Sequence, residues 1–164
     1  MNDLKDELRE RILILDGGMG TMIQQYNLKE EDYRGINFQY LKGQQKGNND
    51  LLTLTQPHII REIHQKYLEA GADIIETCSF NSQRISMSEY GLTDKVKELN
   101  AAAAQIARSI ADEYTQKNPK KPRFVVGSIG PTGKTCSISP DVNNPALRNI
   151  SFQDLYLAYK EQME

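Results

Sequence analysis

Short, wholly apolar runs along this chain alternate with longer stretches in which apolar positions return every three or four residues. The first run, Ile12-Leu13-Ile14-Leu15, has no polar alternation and stops at Asp16-Gly17-Gly18. It predicts a strand over 12–15 in a parallel sheet covered on both faces. Asp73-Ile74-Ile75-Glu76-Thr77-Cys78 and Arg123-Phe124-Val125-Val126-Gly127-Ser128-Ile129 predict two further strands. The intervening stretches read as helices. Ile59, Ile60, Ile63, Tyr67 and Leu68 mark one face of a helix over 56–70, opened by Pro57 and closed by Gly71. Val96, Leu99, Ala103, Ile106, Ile110 and Tyr114 mark another over 94–116, with Thr93 as its N-cap. Leu4 and Leu8 suggest a short amphipathic helix over 2–10, and 20–26 and 81–90 suggest one or two turns each. Ser151 and Asp154 form a capping box before a last helix whose face is Phe152, Leu155, Tyr159 and Met163. The polar stretch from Asn27 to Asp50, with Gly35, Gly43 and Gly47, keeps no period and predicts an excursion from the repeat.

Strands separated by helical crossovers imply a parallel sheet with helices packed on it, an α/β fold. Three parallel strands cannot close a barrel, yet polar residues gather at their ends as they do on the C-terminal face of a (β/α)₈ barrel. The pattern therefore reads as the opening part of something larger.

Composition narrows the function classes. The 164 residues carry 20 Lys and Arg against 22 Asp and Glu, a net charge of −2, with no long run of one sign to attract nucleic acid or an anionic membrane. The charged start lacks the apolar core of a signal peptide, and nowhere do 18 apolar residues follow one another. Cys78 and Cys136 are too few for a disulfide framework, which suits a reducing cytoplasm.

The sharpest chemical feature is Asp16-Gly17-Gly18-Met19-Gly20-Thr21. Glycines at a strand end let backbone N–H groups approach a ligand, a following helix start favours an anion, and Asp16 can accept from an ammonium group. Together they suit an amino-acid zwitterion. The same glycines also suit a plain strand-to-helix turn that needs positive φ. Glu76 ends a strand otherwise made of Ile74 and Ile75, and so faces either a site or solvent. His58 and His64 are six apart on one helix, about 240° around its axis, and cannot converge on one ion. Two separated cysteines add no recognisable metal spacing. Gly130-Pro131-Thr132-Gly133-Lys134-Thr135 contains Gly-Lys-Thr, but the first glycine of a phosphate loop is replaced by Ser128, and Pro131 removes an N–H from the cradle.

Taken together, five segments resemble, in order, the amino-terminal homocysteine-binding module of the cobalamin-dependent methionine synthases. They are Leu15-Asp16-Gly17-Gly18-Met19-Gly20-Thr21-Met22, Gly47-Asn48-Asn49-Asp50-Leu51-Leu52, Gly71-Ala72-Asp73-Ile74-Ile75-Glu76-Thr77, Gly130-Pro131-Thr132 and Ser137-Ile138-Ser139-Pro140-Asp141-Val142. The last motif separates that enzyme from other homocysteine methyltransferases. The resemblance implies a (β/α)₈ barrel of about twice this length, of which residues 1–164 form the N-terminal part of a homocysteine S-methyltransferase domain, incomplete at its C-terminus. About the first three strand–helix units are expected. It further implies zinc held by three late cysteines, one pair following two glycines, and a methyl group carried on cobalamin and passed to the homocysteine thiolate. No Gly-Gly-Cys-Cys occurs here, and where the family has Asn and Thr after Glu76-Thr77 this chain has Cys78 and Ser79. The implied role is recognition of homocysteine by Asp16, Gly17, Gly18 and Glu76. No catalytic residue, metal ligand or bound cofactor is expected among these residues, and the chain alone is expected to be inactive. The implied partners are the remaining barrel and the cobalamin and folate modules. The competing reading is a non-catalytic α/β fragment whose open sheet edge mediates assembly or self-association.

Overall fold

The alternation of apolar runs and helical periods produces a small parallel sheet with helices packed against it. The computed structural model describes residues 3–164; position 2 of the expected first helix lies outside them. Helix α1 (Leu4–Glu10) is capped by the Asp3 side chain and buries none of its residues. Strands β1 (Ile74–Glu76) and β2 (Phe124–Val126) pair in parallel, with Ile74 opposite Phe124, Ile75 opposite Val125 and Glu76 opposite Val126.

The expected strand at 12–15 is corrected to a single parallel bridge between Leu15 and Ile74. Three backbone hydrogen bonds hold it: Asp73 and Ile74 donate to Ile14 O at 2.8 and 3.1 Å, and Asp16 donates to Ile74 O at 2.9 Å. Its run is apolar enough for a buried strand, but among the described residues it has β1 on one side and no strand on the other. Ile12 stays 90% exposed. The three segments lie side by side in chain order, with β1 in the middle.

Helix α5 (Pro57–Ala70) has the expected bounds, with Pro at its start and Gly71 ending it in the left-handed region at φ 112°. That conformation is open to glycine and strained for other residues. Its buried residues are Ile59, Ile60, Ile63, His64 and Leu68. Helix α7 (Val96–Lys117) buries Val96, Leu99, Ala103, Ala107, Ile110 and Ala111. Ala107, Ile110 and Ala111 cluster with Leu68 of α5 and with Ile75, the fully buried centre of β1. The expected N-cap Thr93 instead opens a 3₁₀ turn, and Lys95 stands at the cap position.

The shorter helices are α2 (Met19–Gln24), α4 (Leu52–Thr55) and α6 (Arg84–Ser88). The polar excursion is less irregular than its sequence suggested. It contains α3 (Glu30–Arg34) and a 3₁₀ turn at Asn49–Leu51. Arg34 pairs with Glu30 and donates to Leu41 O and Gly43 O, while the Glu30 carboxylate accepts from the Gln45 and Lys46 N–H groups. Helix α8 (Phe152–Met163) carries the expected Ser151–Asp154 capping box. Its buried face is corrected to Ala158 and Gln162, with Phe152 and Met163 exposed.

The sheet is tied at its beginning by Asp73, whose side chain is 3% exposed. One oxygen accepts from the Ile14 N–H at 2.9 Å. The other lies 3.0 Å from Arg11, 3.6 Å from Lys121 and 3.7 Å from Arg123. Burial pushes the carboxyl up, but the Ile14 hydrogen bond and the Arg11 contact outweigh it and hold its pKa below the usual carboxylate value.

Asp73→Ala leaves buried Arg123 without its counter-ion and the Ile14 N–H without its acceptor. The expected loss is about 3–5 kcal/mol, the cost of breaking a buried pair from one side, read as a lowered denaturant midpoint. An unchanged midpoint would contradict the assignment. His64 supplies an acid-sensitive contribution. Both ring nitrogens are buried without a hydrogen-bond partner, and burial pushes its pKa down to about 4. The unfolded chain therefore takes up this proton first, and stability falls as pH drops from about 6.5 towards 4. Relative to His64→Leu, the parent chain should lose about 2 kcal/mol between pH 7.5 and pH 5, measured by urea unfolding at both. Parallel pH profiles would refute this.

Candidate functional site

Where the first segment and β1 end, their polar residues turn into one cavity of about 410 Å³. Asp16, Gly17, Gly18 and Glu76, the four residues singled out in the sequence, all line it. The Asp16 side chain accepts from the Glu76 N–H at 3.1 Å through one oxygen, while its other oxygen is buried with no hydrogen-bond partner. Burial pushes the Asp16 pKa up to about 6; the Glu76 N–H pulls it back, and repulsion from the Glu76 carboxylate adds to the rise. The Ser128 hydroxyl lies 3.4 Å from the Glu76 carboxylate as its donor. The wall thus joins the ends of all three parallel segments.

The glycines of the Asp16–Thr21 turn are not there for backbone freedom. None of Gly17, Gly18 and Gly20 has positive φ, and Gly18 caps α2 at φ −59°. What they provide is room. A Cβ on Gly17 would stand 3.2 Å from the Tyr67 hydroxyl, which donates to Gly18 O at 3.3 Å. Among the described residues, the N–H groups of residues 17–21 donate to no other backbone group, as expected before and within the first turn of a helix.

Sequence reasoning missed four further lining residues, Asn49, Asp50, Phe80 and Asn81. Asp50 is 3% exposed. One of its oxygens accepts from the Asn81 N–H at 2.7 Å and from the Ser82 hydroxyl at 2.9 Å. Burial pushes its pKa up to about 6 against those two bonds. Asn-Asn-Asp before Leu-Leu was the available signal, a polar turn immediately ahead of fully buried Leu51 and Leu52. Phe80 is set by Gly130, where a Cβ would fall 2.6 Å from the Phe80 carbonyl oxygen and 2.5 Å from its ring. The Gly130 N–H donates to that carbonyl at 2.8 Å. From α8, Tyr159 donates to Gly130 O at 2.9 Å and Gln162 to Ser79 O at 2.7 Å.

Cys78 also lines the cavity, but its thiol is buried and donates to Asn49 O at 3.6 Å. Burial, with the Asp50 charge, pushes its pKa well above the usual thiol value. Cys136 is on the long loop before α8, donating to Ile150 O, and is not part of the cavity.

The model of the homocysteine S-methyltransferase family matches residues 13–164. The chain belongs to that family. The homocysteine methyltransferase MmuM from Escherichia coli shares its fold. In the metallated form the TM-score is 0.70 at 22% identity, covering 99% of this chain and 52% of that one. The oxidized form aligns at 0.62 with 27% identity over 80% of this chain and 41% of MmuM. The apo form aligns at 0.61 with 22% identity, covering 96% and 46%. The chain thus spans about half the length of these family structures.

Although one relative is metallated, no group of three or more His, Cys, Asp or Glu among the described residues of this family member could hold a metal ion. Cys78 is unsuited on its own account, because a ligating thiol must be deprotonated and its surroundings favour the protonated form. Nor is any described helix long and apolar enough to cross a membrane.

Proposed function

We propose that these residues are the substrate-recognition part of a homocysteine S-methyltransferase of the cobalamin-dependent methionine synthase type, the first three strand–helix units of a (β/α)₈ barrel. The observation that carries this reading is the buried, unpartnered oxygen of Asp16 in a cavity that Gly17, Gly18 and Glu76 also line. An unpaired buried acceptor is costly, and a ligand ammonium group would satisfy it. Asp16 then takes the amino group of homocysteine, the Gly17–Gly18 backbone approaches its carboxylate, and Glu76 lines the same face. With a pKa of about 6, Asp16 is mostly ionised at neutral pH, as an ammonium partner requires.

The methyl transfer itself, with zinc for the homocysteine thiol and cobalamin as methyl carrier, is assigned on this reading to other parts of the protein. The donor set here does not suit zinc, so no step of that chemistry is attributed to these residues. Two unpaired cysteines and this substrate agree with a cytoplasmic location.

A second reading, assembly through the open sheet edge, is favoured by exposed Ile12, Ile14 and Leu15 along the single-bridge segment and Ile129 beyond β2. Apolar strand edges of this kind recruit further chains. On this reading the isolated chain self-associates at micromolar concentration. Light scattering that shows a monodisperse monomer with a cooperative unfolding transition would remove it.

For the recognition reading, Asp16→Asn and Glu76→Gln should each weaken homocysteine binding about tenfold or more, as expected for losing a charge-assisted contact. Gly18→Val should also weaken it by crowding Thr21, whose hydroxyl a Cβ would meet at 3.3 Å. Because only ionised Asp16 receives the ammonium group, affinity in the parent chain should hold above pH 7 and fall by up to about tenfold per unit below pH 6. Asp16→Asn should flatten that fall. Isothermal titration at several pH values measures both; unchanged affinity in all three variants would overturn the proposal.

A further inference from the structure

The recognition reading uses only part of the cavity lining. Asp16, Gly17, Gly18 and Glu76 are placed to grip the amino-acid end of a ligand. The lining also includes Phe80 and Asn81, which belong to the turn after β1 rather than to a strand or helix. A turn keeps an aromatic side chain in place only if its backbone is fastened elsewhere.

That fastening comes from Asp50. One of its carboxylate oxygens receives both the Asn81 N–H and the Ser82 hydroxyl, at 2.7 and 2.9 Å, across 31 and 32 residues of sequence. The platform behind it is itself held by hydrogen bonds and burial. Asp50 O accepts from the Thr53 hydroxyl at 2.8 Å, the Asn49 side chain accepts from the Tyr33 hydroxyl at 2.9 Å, and neighbouring Leu51 and Leu52 are fully buried. On the other side of the turn the Phe80 carbonyl accepts from Gly130. Phe80 is therefore clamped between two anchors, and the charged one is Asp50.

Resting on the recognition reading, we infer that Asp50 is a positioning residue: by holding the 80–82 turn it sets Phe80 as the wall that measures the length of the substrate side chain. Gripping the zwitterion does not distinguish homocysteine from cysteine, since both share it. A wall placed for the longer side chain does. One methylene in an apolar pocket is worth about 10–200-fold in discrimination, and a turn released from its anchor loses that selectivity first.

The test is calorimetric titration of the 164-residue chain with L-homocysteine and L-cysteine under reducing conditions. The parent chain should prefer homocysteine by about tenfold or more. Asp50→Ala should collapse that preference towards unity, mainly through weaker homocysteine binding, while Asp16→Asn weakens both amino acids alike and preserves the ratio. Asp50→Asn keeps an acceptor oxygen and should restore most of the preference. Because Asp50 acts through Phe80, adding Asp50→Ala to Phe80→Ala should change the ratio less than about twofold, the non-additivity expected of coupled residues.

If Asp50→Ala does not fold, Ser82→Ala removes one of the two bonds and should reduce the preference about 2–10-fold, the worth of one hydrogen bond. An unaltered ratio in Asp50→Ala, or in Ser82→Ala where that variant stands in for it, overturns the inference. So does equal weakening of both ligands, full additivity with Phe80→Ala, or a parent chain that binds both amino acids equally. A parent chain that binds neither amino acid defeats the recognition reading, and this inference with it.

Discussion

A single carboxylate, that of Asp73, holds the start of the sheet in register. It bonds the backbone of the first segment at Ile14, sits at the entrance to β1, and faces Arg11, Lys121 and Arg123, which flank the other two segments. Parallel strands lack a hairpin to fix their alignment, and here the Asp73 contacts add to the backbone hydrogen bonds that set it. Burial makes this contact strong in both directions. With its partners present, Asp73 aligns three segments at once; with the carboxylate removed, the Arg123 guanidinium is buried among cations.

Register set at one end determines what meets at the other. Since Leu15 stands beside Ile74 and Glu76 beside Val126, the residues that follow turn into one cavity. Cations gather where the strands begin and carboxylates where they end. At the acidic end Asp16 keeps a buried oxygen free of hydrogen bonds. On the recognition reading, such a group beside open glycine backbone turns a cost to the fold into a contact for a ligand.

The elements that were legible in sequence are those governed by local chemistry. Pro57 and Gly71 bracket α5, the Ser151–Asp154 box starts α8, and Glu76 ends β1. Elements that depend on distant partners were read less well. The 12–15 run has strand composition, yet only Leu15 bridges, because a ladder needs neighbours as well as apolar residues. The face of α8 was misassigned because Phe152 and Met163 have the right spacing, whereas Gln162 is buried by bonding the backbone of Ser79. Asp50 looked like part of a polar excursion. Its burial comes from a turn 32 residues later, and Phe80 owes its place to the missing side chain of Gly130.

The carboxylate proposed to meet the ligand belongs to the segment with the least strand pairing. Asp16 follows directly on Leu15, whose pairing is one bridge and a few hydrogen bonds on one side. Segments of that kind open at the low end of a protein's local free-energy range. On the recognition reading, filling the cavity and closing the edge of the sheet are a single equilibrium seen from two places, in which whatever braces the first segment sharpens the grip and whatever is gripped braces the segment.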